Sequence, residues 1–402
     1  MNKTYIFPIE QQNLAEELSR LSGRIYSKVV STSYKIHKKK NIWLSLNNMQ
    51  KYIRLYSCDF KMLGQTKQGI VKQYYINLRA YFNTKKKKEQ ARPPYRTMKY
   101  NKIIYKKRSI KLKNNILKFS NGRNNSCFTI KTNRLTKRPK YAEIIYHPKE
   151  KVYKLHAVIE ISNEQISHNN KKTLAIDLGQ IHPMVTFDGK QSLIYNGGKL
   201  NSFIRFRNKE IGKLDSKLSK CKINSKRYKK LKKAKQELLL KSKNKINDVL
   251  QKYTSHLISY CIKNKISVIA IGNITGIRNA KTTTNPKINQ KLSHWLFRRL
   301  SNIIEYKAKS VKIKVGYQEE SYTSQTCPKC NKRHKPYNRN YKCQCSFEYH
   351  RDSVGAINIW RKYTRGSLDK SSRLEGELMP PYGIRYKSNF TRCQIKWNAR
   401  PF

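Results

Sequence analysis

The chain has 402 residues, room for two or three domains, and carries 88 Lys+Arg against 23 Asp+Glu, a formal charge of +65. Self-repulsion on that scale excludes an ordinary neutral globule and calls for a polyanion partner, of which nucleic acid is the commonest. No apolar run of about 18 residues is available to cross a membrane, and Met1 to Gln12 holds no signal-peptide core, so a cytoplasmic, nucleoid-associated protein is expected.

The excess charge is spread along the chain, with runs at Lys38–Lys40, Lys85–Lys88, Lys106–Arg108 and Lys226–Lys235. That spread suits a long duplex or a folded RNA better than a single short site. The 27 tyrosines are interleaved with these cations, and a minority could stack on unpaired bases.

Residues 10–60 are expected to be helical, because Leu14, Leu18, Leu21, Ile25 and Val29 keep the three-and-four spacing of one helix face, and 44–55 repeats it. A basic, proline-bearing loop is expected over 84–94. From 98 to 164 the pattern turns β-rich, with strands at 141–146 and 152–161 around a His147-Pro148-Lys149-Glu150 turn. Near Lys171 a sharper domain begins. The run 173–179 is an apolar strand ending in a carboxylate and a glycine, followed by strands at 184–187 and 192–195 joined by Asp188-Gly189.

Two long basic helices come next, marked by Ile211, Leu214 and Leu218, then by Ile246, Val249, Tyr253 and Leu257. A strand at 267–271, a helix at 292–307, a strand at 311–315, a cysteine cluster and a helix at 353–361 close the pattern. A three-strand meander followed by alternating helices and strands is the layout of an RNase H-like α/β domain. Residues 363–402, with Pro380-Pro381, read as an extended or irregular basic tail.

Acidic residues are scarce, so each one in an apolar setting is informative. Asp177 ends a strand expected to be central, where an unpaired carboxylate is costly. Asp352 directly precedes the last helix, a position that also suits an N-cap. The fourth strand ends in Gly272-Asn273 without an acid, but the neighbouring strand runs into Glu319-Glu320. Either side chain could reach back across the roughly 4.8 Å between strands over a residue that lacks a side chain. Converging carboxylates suit a site for two magnesium ions.

Four of the nine cysteines fall within nineteen residues, as Cys327-Pro328-Lys329-Cys330 and Cys343-Gln344-Cys345. This spacing points to one structural zinc ion in a reducing compartment rather than to disulfides. The second pair is tighter than usual, and His334 or His350 could replace Cys345 in the shell. Cys58, Cys127, Cys221, Cys261 and Cys393 are isolated and receive no role.

Together, the segments Ile176-Asp177-Leu178-Gly179, Gly272-Asn273-Ile274-Thr275-Gly276-Ile277-Arg278, Tyr322-Thr323-Ser324-Gln325-Thr326-Cys327-Pro328-Lys329-Cys330 and His350-Arg351-Asp352-Ser353-Val354-Gly355-Ala356-Ile357-Asn358-Ile359 resemble the transposon-associated TnpB family, related to Fanzor proteins and type V CRISPR effectors. The resemblance covers about 170–362. It implies an RNase H-like (RuvC) α/β nuclease domain at 169–362 with a zinc ribbon inserted at 322–350. It also implies a helical recognition domain at 13–97, a β-rich, barrel-like wedge domain formed by 1–12 with 98–168, and a basic tail at 363–402.

In that family an Asp, a Glu and an Asp cut DNA with magnesium under direction of a guide RNA copied from the transposon end. Carried over, the aspartates are Asp177 and Asp352. The family's usual fourth-strand Glu is replaced here by Gly272 or Asn273. In a rearranged subgroup the Glu stands just before Tyr-Thr-Ser, which selects Glu320, with Glu319 in reserve. The expected partners are guide RNA and double-stranded target DNA. The alternatives are a nuclease-inactive RNA-guided DNA-binding repressor and an accessory transposase.

Overall fold

The computed structural model describes residues 2–86, 90–122, 125–148, 150–160, 172–273, 296–334, 336, 338–368, 374 and 378–387. The expected motif residues 274–278, the start of the helix at 292, and Cys393 lie outside them. The chain divides into two compact units, Met1–Ser162 and Asn163–Phe402.

The first unit combines three helices and two antiparallel sheets. Strand β1 (Asn2–Pro8) is followed by α1 (Gln12–Lys40), α2 (Leu46–Tyr56) and α3 (Gly64–Lys85). The strands β2 (Ile103–Lys106), β3 (Ile110–Lys113), β4 (Ile116–Phe119), β5 (Phe128–Lys131), β6 (Tyr141–His147) and β7 (Val152–Glu160) complete it. Leu18, Ile25 and Val29 of α1 are buried as the spacing requires. The first strand returns to pair antiparallel with β7, from Asn2↔Glu160 to Pro8↔Lys154, giving the order β1-β7-β6-β2, while β3-β4-β5 form the smaller sheet.

The second unit is built on a six-stranded sheet. Its meander is β8 (Thr173–Asp177), β9 (Met184–Phe187) and β10 (Ser192–Tyr195). Helices α4 (Gly198–Ser219) and α5 (Lys226–Lys263) lead to β11 (Val268–Asn273), then α6 (Phe297–Ser310) and β12 (Lys314–Glu319). A small hairpin, β13 (Asn340–Lys342) and β14 (Glu348–His350), precedes α7 (Arg351–Arg365) and β15 (Tyr382–Ile384). The sheet order is β12-β11-β8-β9-β10-β15, with β11 parallel to both β8 and β12. Its first five strands therefore run 5-4-1-2-3 in order of appearance, the arrangement expected of an RNase H-like sheet.

Alternation along β8 sends its side chains to two different cores. Leu174 and Ile176 join Ile269 and Ile271 against Val249 and Leu257 of α5 and Leu300 and Ile304 of α6. On the other face Ala356 and Ile357 of α7 pack with Val185, Phe187 and Ile194. Helices on both faces explain why the four residues of β9 and of β10 are all buried.

One expectation is corrected and one is made specific. The fifth strand begins at Lys314 rather than Val311, because Val311–Ile313 form the exit turn of α6. Lys312 there takes a left-handed φ of 62° and the Ile313 N–H donates to the Ala308 carbonyl. The tail, expected to be extended or irregular, contains an extended strand. Tyr382–Ile384 pairs parallel with β10 from Leu193↔Tyr382 to Tyr195↔Ile384 and covers an otherwise open edge. Three residues are too few to display a period in sequence.

Candidate active site and metal centre

Register decides which acids can meet. Ile176 of β8 pairs with Ile271 of β11, and Gly272 pairs with Gln318 of β12. Asp177, Gly272 and Gln318 therefore form one row across three parallel strands, pointing to the α7 face. Glu320, two residues beyond Gln318, returns to that face, whereas the Glu319 carboxylate is held at the exposed edge by Ser321 and Lys362. A Cβ built on Gly272 would collide with Glu320 Oε1 and lie 2.7 Å from its Cδ. Glu320 thus occupies the volume that a side chain from β11 would fill. Glu319 is exposed: its carboxylate accepts from the Ser321 N–H at 2.7 Å and pairs with Lys362 Nζ at 2.8 Å. The reserve acid is not brought to the site.

The last helix supplies the third acid. Asp352 lies in the first turn of α7, but His350 is the capping residue and the Asp352 side chain turns away from the helix end. Arg339 Nη1 donates to Asp352 Oδ2 at 2.6 Å, and His182 Nε2 lies 3.9 Å from the same oxygen. One turn on, Gly355 allows the helix to ride directly on Asp177. A Cβ there would run into Asp177 Oδ2 and sit 3.1 Å from its Cγ.

Asp177 and Glu320 are electrostatically uncomfortable. Burial raises the Asp177 carboxyl well above its usual range, and the charges of Glu320 and Asp352 add to the effect, with Arg351 opposing it. Burial, then the neighbouring Glu319, pushes Glu320 up to about 7. Glu320 Oε1 is buried and accepts no hydrogen bond. Buried acids that repel one another over an orphaned oxygen fit a site for hard divalent cations with oxygen ligands. Among the described residues, two other groups bring three or more ligand atoms within 4.8 Å of one another: the four clustered cysteines, and His182 with His350 and Asp352. The three acids are spread more widely than that.

A polar frame fixes Glu320. Its backbone carbonyl accepts from the Thr323 N–H at 3.1 Å and from Thr323 Oγ1 at 2.9 Å. Asn358 Nδ2, buried in α7, donates to the carbonyls of Thr323 and Thr326, at 2.7 Å each. Arg361, fully buried, donates to Asn358 Oδ1 at 2.8 Å and to Asn331 Oδ1 at 2.6 Å. One helix therefore carries Asp352, seats Asp177 through Gly355, and holds the segment bearing Glu320.

The four cysteines converge, with Cys327 and Cys345 Sγ 3.6 Å apart and Cys330 and Cys343 Sγ 3.5 Å apart. Four thiolates 2.3 Å from a tetrahedral zinc would stand about 3.8 Å apart, so the donor set fits zinc. The tight second pair is accommodated by a turn in which the Ser346 N–H donates to the Cys343 carbonyl and Ser346 adopts a φ of 60°. The histidines considered for the shell lie elsewhere: Tyr341 OH meets His334 Nδ1 at 3.3 Å, and His350 stacks edge-on to His182.

Sequence reading missed His182, Arg339, Thr323, Asn358 and the role of Gly355. Only Gly355 carried a signal, since a glycine inside a helix is unfavourable unless something must approach closely. The others come from a loop, the cysteine hairpin and polar positions that no period marks.

Known proteins match this chain in parts. A family model described as a probable transposase, OrfB of IS605, matches residues 156–278, and a Cas12f1-like TNB domain model matches 297–359. A TnpB-like protein of Methanocaldococcus jannaschii is 33% identical over 124 residues, 30% of this chain and 44% of that protein. Over these segments the chain is similar to TnpB-like proteins. The CRISPR-associated endodeoxyribonuclease Cas12f2 of a Micrarchaeota archaeon is 30% identical over 173 residues, 40% of this chain and 30% of that protein. The chain thus spans less than half the length of either curated relative.

In fold, it is similar to Cas12f1 in a complex with sgRNA and target DNA, at a TM-score of 0.58 and 16% identity over 87% of this chain and 82% of that one. It is also similar to the mini RNA-guided endonuclease CRISPR-Cas phi3, at 0.51 and 10% identity over 90% and 92%. Among the described residues no helix is long and apolar enough to cross a membrane.

Proposed function

We propose that this chain is an RNA-guided DNA endonuclease of the rearranged TnpB subgroup, in which Glu320 replaces the usual fourth-strand acid. The observation that carries this reading is the Glu320 side chain lying over Gly272, in the row that begins at Asp177. Asp177 faces both halves of the site, and Glu320 and Asp352 each complete one half. Two magnesium ions, when bound, would supply an activated water and stabilise the leaving oxygen. Arg339 holds Asp352 and is placed to take up phosphate charge as substrate arrives. The cysteine cluster would hold one zinc ion as a scaffold, because all four positions of a tetrahedral shell are filled by protein.

The partners in this reading are a guide RNA and double-stranded target DNA, with base pairing reading sequence and the +65 chain supplying charge and shape. Residues 1–12 with 98–168 would form the wedge and 13–97 the recognition part, and the protein would act in the cytoplasm at the nucleoid. The test is cleavage of a plasmid library with randomised flanks by the protein purified with its locus RNA. Cutting beside one short motif with magnesium, and none without it, is the expected result. Guided binding without cutting under both conditions would favour the repressor reading, to which the acid-free Gly272 position points.

A further inference from the structure

We infer that His182, His350 and Asp352 form a binding site for a borderline transition-metal ion, which shares Asp352 with the all-oxygen magnesium positions and adds two imidazoles. One ligand atom from each of the three lies within 4.8 Å of the others. They arrive from three places: the loop after β8, the end of β14 and the first turn of α7. His182 is 8% exposed and presents Nε2 to Asp352 Oδ2 at 3.9 Å, while its Nδ1 is buried and makes no hydrogen bond. The His350 ring stands 5.4 Å from the His182 ring, at 66° to it.

Two imidazoles and a carboxylate are a poor set for magnesium, which prefers oxygen and keeps its waters, and a good one for manganese-to-zinc type ions. The position is held in this structure by a protein cation, since Arg339 Nη1 donates to the same Asp352 oxygen at 2.6 Å. Metal entry therefore displaces Arg339 from Asp352, and the site couples metal loading to release of that guanidinium.

The inference rests on ligand geometry and stands whether or not the carboxylates cut DNA, so its test uses no nucleic acid. Mn2+ is added to the full-length, zinc-loaded protein in excess Mg2+ and examined by pulsed electron paramagnetic resonance. The expected result is retained Mn2+ with nitrogen-14 coupling from directly bound imidazole. His182→Ala and His350→Ala should each weaken Mn2+ binding by more than about tenfold, the lower end of what losing even an outer partner of a metal ligand costs. Arg339→Gln should strengthen it. Wild-type protein that retains no Mn2+ against Mg2+, or holds it without nitrogen coupling, overturns the site, and that wild-type result decides even if a variant fails to fold.

Discussion

Replacing Glu320 by Gln should make the magnesium-free protein more stable while removing its activity. The Glu320 carboxyl is moved from an ordinary 4.5 up to about 7, by burial and by Glu319. At about 1.4 kcal/mol per pH unit, that displacement corresponds to about 3 kcal/mol. The sign follows from proton occupancy. Between those two values the folded chain holds a proton that the unfolded chain has released, so stability falls as pH rises through the window. The full cost is present above about pH 7.

A neutral amide of the same shape removes the cost. Urea denaturation of zinc-loaded, magnesium-free protein should show Glu320→Gln exceeding wild type by up to about 3 kcal/mol near pH 8, with little difference near pH 5. Adding magnesium near pH 8 should narrow the gap by stabilising wild type alone. An equal gain at both pH values would mean a packing effect, and no gain near pH 8 would refute the claim that Glu320 is a strained acid awaiting a cation.

Other consequences are equally specific. Gly355→Ala would press a methyl group against Asp177. Single-turnover cleavage should fall by at least about 100-fold, with a stability loss of about 1–3 kcal/mol. Cys345→Ser should lower zinc, measured by atomic emission, from about one ion per chain to none, while His334→Ala keeps it, because that ring faces Tyr341 instead. Arg361→Ala would leave the buried Asn358 Oδ1 without its guanidinium donor and remove the Arg361–Asn331 hydrogen bond. It should cost about 3 kcal/mol in denaturant titrations.

Asp177 and Asp352 were legible because acids are rare in this chain and these two stand at the ends of strongly patterned elements. Choosing between Glu319 and Glu320 required the register of β12. Val311, Val315 and the residue between them, Ile313, alternate like a strand, yet Val311–Ile313 is a helix exit. The periodic pattern therefore gave no secure parity for Glu319 and Glu320. Parallel pairing of Gln318 with Gly272 puts Glu320 over Gly272, and that pairing is a long-range contact no local pattern encodes. The meander and its two covering helices were readable from apolar spacing. His182 and Arg339 were not, because a loop and a cysteine hairpin meet at Asp352 only after the sheet and α7 have packed. The Cys343-Gln344-Cys345 spacing, tighter than usual, is accommodated by the left-handed turn at Ser346, which no sequence pattern announces.

The central claim is that one carboxylate is needed above Gly272 and that β12, not β11, delivers it. Moving that acid back tests this most directly. Magnesium-dependent cleavage by the RNA-loaded protein would be compared for wild type, Glu320→Gly, Gly272→Glu, and the double variant Gly272→Glu with Glu320→Gly. The account predicts that Glu320→Gly is inactive, that Gly272→Glu alone is impaired by collision with Glu320, and that the double variant recovers cutting. Undiminished cleavage by Glu320→Gly would contradict it.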